Sequence, residues 1–317
     1  MMNDTISIAP MLDWTDRHYR YFVRLITPHT KLYTEMIVAD AIIHGNQNRL
    51  LSYDPSEQPL ALQLGGSNPE KLYTASKVAM EYGYTEINLN VGCPSPRVQS
   101  GSFGACLMLE PNLVTECLNA ISQAGATATI KHRIGIDKAE DYEFLDNFVT
   151  YIKQHTSVKH FIVHARNAIL HGLSPKENRE IPPLKYDYVY KLKQLHPELT
   201  ISINGGINSL TQVQDMLPQL DGVMIGRAAY NNPYLFASIE KTVFANPYIK
   251  TRKEIAYLML NYLQQQQDSY KLHNITKHMI GLYHGQPHAK YWRLGLTQGM
   301  LTNDINNYIQ LIERLDD

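Results

Sequence analysis

Cys93 closes the run Asn88-Leu-Asn-Val-Gly-Cys-Pro94 and stands between Gly92 and Pro94, in a stretch loosened by Gly101 and Gly104. Glycines around a thiol give it room to move, so Cys93 is a candidate reacting group on a mobile loop. Two roles fit it. A nucleophile would want a depressed pKa and a neighbouring base, whereas a thiol near its reference value of about 8.5 stays protonated and can donate a proton. No histidine lies near enough in sequence to choose between them. Cys106 and Cys117 lie in apolar helical stretches and are expected to be small buried hydrophobes. The three cysteines include no C-x-x-C pair, so neither a disulfide framework nor a structural zinc site is expected. A reducing, cytoplasmic setting suits them.

Polar residues also stand where short apolar, β-branched runs stop. They are Pro10-Met11, Glu35, Gln63, Asn88 with Asn90, Lys131, His164, Asn204-Gly205-Gly206 and Gly226-Arg227. The last two would set bare backbone N–H groups, helix N-termini and a guanidinium around one anion, a pattern suited to a cofactor phosphate. A lysine at the end of an inner strand is unfavourable unless a negative group meets it, and the N1–C2=O edge of a reduced flavin is such a group.

The elements that must position these residues follow from the runs themselves: residues 6–9, 31–34, 60–64, 86–90, 129–132, 161–163, 200–203 and 222–225. Their starts lie about 20 to 45 residues apart, which leaves room for a crossover helix each time and predicts a (β/α)₈ barrel. An open doubly wound sheet is the rival. In a barrel the residues at the ends of the runs share one mouth, at the C-terminal face where such folds do their chemistry. After Arg227 the strand pattern ends, and Ile255, Leu258, Met259, Tyr262 and Leu263 repeat as one face of a helix. This predicts a catalytic barrel over residues 1–239 and a helical domain over 240–317, with further helices near 277–283 and 305–315.

The chain has 317 residues, 44% hydrophobic and 19% charged, enough for a barrel with a small appendage. Its formal charge of −1 excludes nucleic-acid binding through bulk charge. The charge is uneven, however. Residues 250–293 carry seven Lys and Arg against Glu254 and Asp268, a local balance of +5. No apolar run reaches the roughly 18 residues of a membrane span, and no membrane association is expected.

The strings Ala9-Pro-Met-Leu-Asp-Trp-Thr-Asp16, Leu62-Gln-Leu-Gly-Gly66, Asn88-Leu-Asn-Val-Gly-Cys-Pro94, Lys131-His-Arg-Ile-Gly135, His164-Ala-Arg166, Asn204-Gly-Gly206 and Gly226-Arg227 together resemble tRNA-dihydrouridine synthases over nearly the whole chain. The stretch 173–184 is similar to the DusA branch of that family, which acts on D-loop uridines at tRNA positions 20 and 20a. The resemblance implies an FMN-dependent, NADPH-driven reduction of the uridine C5=C6 bond, with hydride passing from FMN N5 to C6 and a proton reaching C5 from Cys93. It assigns FMN contacts to Pro10, Met11, Leu12, Gln63, Lys131, His164, Asn204, Gly205, Gly206, Gly226 and Arg227. It assigns tRNA contacts to Asn90, Lys176, Arg179, Lys290 and Arg293, in agreement with the basic stretch. Neither a metal nor an obligate protein partner is expected. Two other readings compete: a flavin barrel acting on a small molecule, for which a basic helical domain is unnecessary, and an RNA-binding protein with a vestigial barrel, against which the intact set of mouth residues speaks.

Overall fold

The computed structural model describes residues 5–266, 269–302 and 304–315. Eight strands form one sheet: β1 (Ile6–Ile8), β2 (Leu32–Val38), β3 (Leu60–Gly65), β4 (Glu86–Val91), β5 (Thr127–Arg133), β6 (His160–His164), β7 (Thr200–Asn204) and β8 (Gly222–Ile225). From β2 to β8 each strand pairs in parallel with the next, and β1 pairs in parallel with β8. The remaining seam closes at Lys31, whose N–H donates to Ile6 O (3.0 Å) while Ile8 N–H donates to Lys31 O (2.9 Å). This bridge joins the two end strands, which selects the (β/α)₈ barrel over the open sheet.

Side chains alternate across each strand, so the ring divides the apolar residues into two sets. Ile87, Leu89 and Val91 of β4 point outward and join the large core between sheet and helices. Ala9, Tyr33, Ala61, Ile162 and Met224 form a small second core, whose members alternate inward along their strands. Short side chains at Ala9 and Ala61 leave space for the Tyr33 ring.

The helix Arg17–Ile26 starts at Asp16, whose carboxylate caps the N–H groups of His18 and Tyr19 (both 3.0 Å). It also anchors the C-terminal helices. His18 Nδ1 lies 2.8 Å from Tyr262 Oη, and His278 bridges Asp16 Oδ2 (3.0 Å) and Tyr230 Oη (3.1 Å). The helix Leu235–Thr242 runs across residue 240, with Glu240 fully buried and accepting from Thr27 Oγ1. Beyond it the helix Arg252–Gln266 buries Ile255, Met259, Tyr262 and Leu263 as the spacing predicts, and adds Ala256 and Leu260. Among the described residues no helix is long and apolar enough to cross a membrane.

The expected helix near 277–283 is only a 3₁₀ turn, Lys277–Met279, followed by turns. A longer helix lies instead at Ala289–Thr302. Its glycines weaken the helical signal, yet Gly295 is required by packing: a Cβ there would fall 2.4 Å from Leu311 Cδ1 on the facing helix Ile305–Glu313. Trp292 fixes the helix by donating from Nε1 to Met279 O (2.7 Å).

Gly281 marks the closest approach of this region to the barrel. A Cβ on it would meet the carbonyl oxygens of Asn231 (2.6 Å) and Tyr230 (2.9 Å). Backbone cannot swing aside as a side-chain tip can, so Gly281→Ala should destabilise the protein by about 1–3 kcal/mol. Thermal unfolding measures this, and a wild-type Tm would show that the contact is looser than described.

Candidate active site

Strand register brings the polar run ends together: Gln63 lies beside Asn88, Asn90 beside Lys131, and Arg133 beside His164, which is beside Asn204. On the β3–β5 side these groups satisfy one another. Gln63 Nε2 donates to Asn88 Oδ1 (2.8 Å), and Gln63 Oε1 accepts from Asn90 Nδ2 (2.9 Å). Asn90 Oδ1 in turn accepts from the N–H groups of Gly92 (3.2 Å) and Cys93 (3.0 Å), which shapes the turn carrying the thiol.

That turn has two further ties. Arg133 Nε donates to Gly92 O (2.9 Å), and Ala105 N–H donates to Cys93 O (2.9 Å). Gly104, at φ +79°, lets the chain return past Cys93, since a Cβ there would lie 2.6 Å from the Cys93 carbonyl oxygen. Cys93 is half-buried, and burial pushes its thiol up from the usual value, outweighing the cations Arg133, Lys131 and Arg179. A thiol held protonated is suited to proton donation and poorly suited to nucleophilic attack. Cys117 is buried as expected, with its thiol pushed up to about 12 by burial, whereas Cys106 is only half-buried.

The β5–β8 side is built differently. Burial, reinforced by Arg133, pulls Lys131 down to about 7, although part of its side chain is open at the mouth. It has no ion-pair or hydrogen-bond partner among the described residues. His164 is held well below its ordinary range, by burial first and then by Arg133, Lys131, Arg166 and Arg179, all of them cations; its buried Nδ1 has no partner among the described residues. Gly205 and Gly206 adopt φ +118° and +72°, and a Cβ on Gly206 would strike Leu184 Cδ1 at 2.6 Å. Their N–H groups make no hydrogen bond among the described residues. Unpartnered donors on a cationic wall make a receptor for an anion.

Other expected contacts are already engaged. Met11 N–H donates to Thr15 Oγ1 (2.9 Å), Asn204 Nδ2 donates to Met224 O (2.8 Å), and both ends of the Gln63 amide are taken. Arg227 pairs with Glu180 (2.7 Å) and donates to Arg179 O (3.1 Å), so an incoming phosphate would have to displace or join Glu180. Pro10 is half-buried at the mouth, Leu12 is exposed, and Gly226 caps the short helix Arg227–Asn231. Lys176 and Arg179 lie exposed beside Asn178, which is fully buried and holds Ile169 O (2.8 Å). Lys290 and Arg293 are exposed on the helix Ala289–Thr302 and have no partner among the described residues.

Arg133 is the functional residue that sequence reasoning passed over. It is 4% exposed and donates to the carbonyls of Gly92, Asn167 (2.9 Å) and Asn178 (3.1 Å), so one guanidinium ties the Cys93 turn to the segment after β6. The signal was present: Arg133 lies two residues beyond Lys131 on the same strand and therefore on the same face.

A family model described as dihydrouridine synthase matches residues 7–314. The chain is 51% identical to the tRNA-dihydrouridine(20/20a) synthase of Synechocystis sp. over 93% of its own length and 89% of the relative's. For the proteins of the same description from Shewanella oneidensis and Vibrio parahaemolyticus the values are 52% over 95% and 90%, and 53% over 92% and 90%.

Lys131 provides a test of the cationic wall. The folded state disfavours its charge, so unfolding takes up a proton between about pH 7 and the ordinary lysine range, and wild-type stability rises with pH across that window. Lys131→Met should therefore be the more stable protein, free of ligand, below about pH 7, and should lose that advantage as pH rises. Unfolding curves at about pH 6 and about pH 9.5 decide it. A difference that does not change with pH would mean an ordinary solvated ammonium.

Proposed function

The chain belongs to the dihydrouridine synthase family, and we propose on that footing that it reduces the C5=C6 bond of uridine at positions 20 and 20a of the tRNA D-loop, with FMN bound and NADPH as reductant. The observation that carries this reading is the pairing of a thiol pushed up by burial, on a glycine-flanked turn, with a cationic wall that includes the unpaired Lys131, close enough that Lys131, Arg133 and Arg179 each feel Cys93.

The residues fit FMN. Lys131, the free Nδ1 of His164 and the N–H groups of Gly205 and Gly206 offer unpaired donors to an anionic flavin edge and a phosphate. Pro10, Met11, Leu12, Gln63, Asn204, Gly226 and Arg227 complete the enclosure, Arg227 by exchanging Glu180 for phosphate. Bound there and reduced by NADPH, FMN supplies hydride to uridine C6.

The protein's own part is the proton. Addition at C6 leaves negative charge shared between C5 and the C4 carbonyl oxygen, and Cys93 delivers its proton to C5. The cations that face the thiol then stabilise the thiolate left behind, until solvent restores the proton. The target base must leave its stack, which costs a few kcal/mol, and Asn90 and the mouth residues receive it. The division of labour we propose gives residues 1–239 the chemistry and 240–317 the grip on tRNA. Lys290 and Arg293 meet phosphates there, and Lys176 and Arg179 do so at the rim of the mouth.

Unmodified tRNA incubated with the enzyme, FMN and NADPH should gain dihydrouridine at positions 20 and 20a by mass spectrometry. Cys93→Ala should keep its flavin and NADPH-driven flavin reduction while losing dihydrouridine formation by about 10²–10⁴-fold. Wild-type turnover in that variant would remove the thiol from the mechanism.

Changing Lys290 and Arg293 together to Ala should weaken tRNA binding and flatten its salt dependence by about one log–log unit per contact. The tRNA-free NADPH oxidase rate should not change. Unaltered affinity and slope would make this face an ordinary solvated surface, as the small-molecule alternative requires.

A further inference from the structure

We propose that Glu86, at the floor of the barrel, is a positioning residue for the Cys93 turn, acting through a row of hydrogen bonds that its carboxylate orients. Glu86 is the first residue of β4, and its side chain is 15% exposed. Lys31 pairs with its Oε2. Its Oε1 accepts from Thr129 Oγ1 (3.1 Å) and more weakly from Tyr33 Oη (3.4 Å). Thr129 Oγ1 accepts from Asn88 Nδ2 (3.0 Å), Asn88 Oδ1 accepts from Gln63 Nε2 (2.8 Å), and Gln63 Oε1 accepts from Asn90 Nδ2 (2.9 Å). The row ends where Asn90 Oδ1 receives the N–H groups of Gly92 and Cys93.

An amide has no direction of its own, since either end can face either neighbour. Both ends of this row remove the choice. A carboxylate only accepts, so Thr129 must give it the hydroxyl proton and can then only accept from Asn88, which in turn fixes Gln63 and Asn90. Backbone N–H groups only donate, and they demand the same orientation from the other end. Asn88, Gln63 and Thr129 are at most 2% exposed, so water cannot repair a reversed link. The opposite wall of the barrel interior carries the apolar Ala9, Ile162 and Met224 beside Ser202, whose Oγ lies 2.8 Å from His160 Nε2.

Glu86→Gln tests the direction with almost no change of shape. Lys31 would keep the single carbonyl oxygen, which turns the new NH₂ toward Thr129 and reverses every link until the Asn90 NH₂ faces two backbone donors. The turn carrying Cys93 should then open more readily. In the full-length protein, alkylation of Cys93 by iodoacetamide, followed by peptide mass spectrometry, should be about fivefold faster in Glu86→Gln and in Thr129→Val. Thr129→Ser, which keeps the hydroxyl, should restore the wild-type rate. Cys117, buried in the helix Pro111–Gln123 where it packs on the barrel, must stay unlabelled throughout; its labelling alongside Cys93 would reduce Glu86 to a general stability role. Should Glu86→Gln fail to fold, Thr129→Val against Thr129→Ser decides alone. Wild-type labelling of Cys93 in the variants that fold overturns the proposal. The assay needs neither cofactor nor tRNA, so its failure would leave the proposed reaction standing.

Discussion

Closing eight parallel strands into a ring forces half of their side chains into a space that the helices cannot reach and that water meets only at its two ends. Those side chains must fill it, satisfy one another or be met by something from outside. In this barrel the three solutions are separated in space. Ala9, Tyr33, Ala61, Ile162 and Met224 fill the middle. The row from Glu86 to Asn90 satisfies itself on the β3–β5 side. From β5 to β8 two groups at the mouth remain unmet among the described residues, Lys131 and the buried Nδ1 of His164.

This asymmetry is the reason for proposing the β5–β8 wall as the one that receives a ligand. A polar group left unsatisfied in a folded protein costs stability, and one carboxylate placed between Lys131 and Arg133 would have relieved much of that strain. Instead, the charged neighbours that weigh most on His164 are all cations. Glu180 is the exception near the rim, and it lies on Arg227, partly exposed, where an anion from solution can compete with it. The segment around Arg179 and Glu180 is held in place from below by Arg133 and Asn178, so the cationic wall and the thiol turn share one buried guanidinium.

Much of this was legible in the sequence because period-2 runs and the polar residues that end them are local signals. All eight strands fall on the runs that predict them, and barrel topology then carries Gln63, Asn90, Lys131, His164 and Gly205 to one rim. What was not legible depends on contacts distant in sequence. The helix Ala289–Thr302 is masked by Gly295, whose reason is Leu311 across a helix pair. Composition gives no hint that Asn204 would be used to hold Met224 O, or Arg227 to hold Glu180. Arg133 was hidden for the opposite reason: an arginine in a strand looks like an edge or surface residue until three carbonyls are found around it.

The attachment of the C-terminal helices follows from the same economy. They reach the barrel at the loop and helix that follow β1, where Tyr21 stacks on Tyr262 (4.1 Å between ring centres) and Asp16 holds both the N-terminus of the helix Arg17–Ile26 and His278. Asp16 sits six residues beyond Pro10, at the opening of the mouth. A second tie lies at the other end of the barrel, where Glu240 accepts from Thr27 Oγ1 (2.6 Å) and His29 N–H (3.0 Å) in the loop leading to β2. The two parts are joined by aromatic faces and a few oriented polar bonds, interactions whose strength depends on geometry. The exposed face with Lys290 and Arg293 is thus held in a defined relation to the mouth that carries Lys131 and the Cys93 turn.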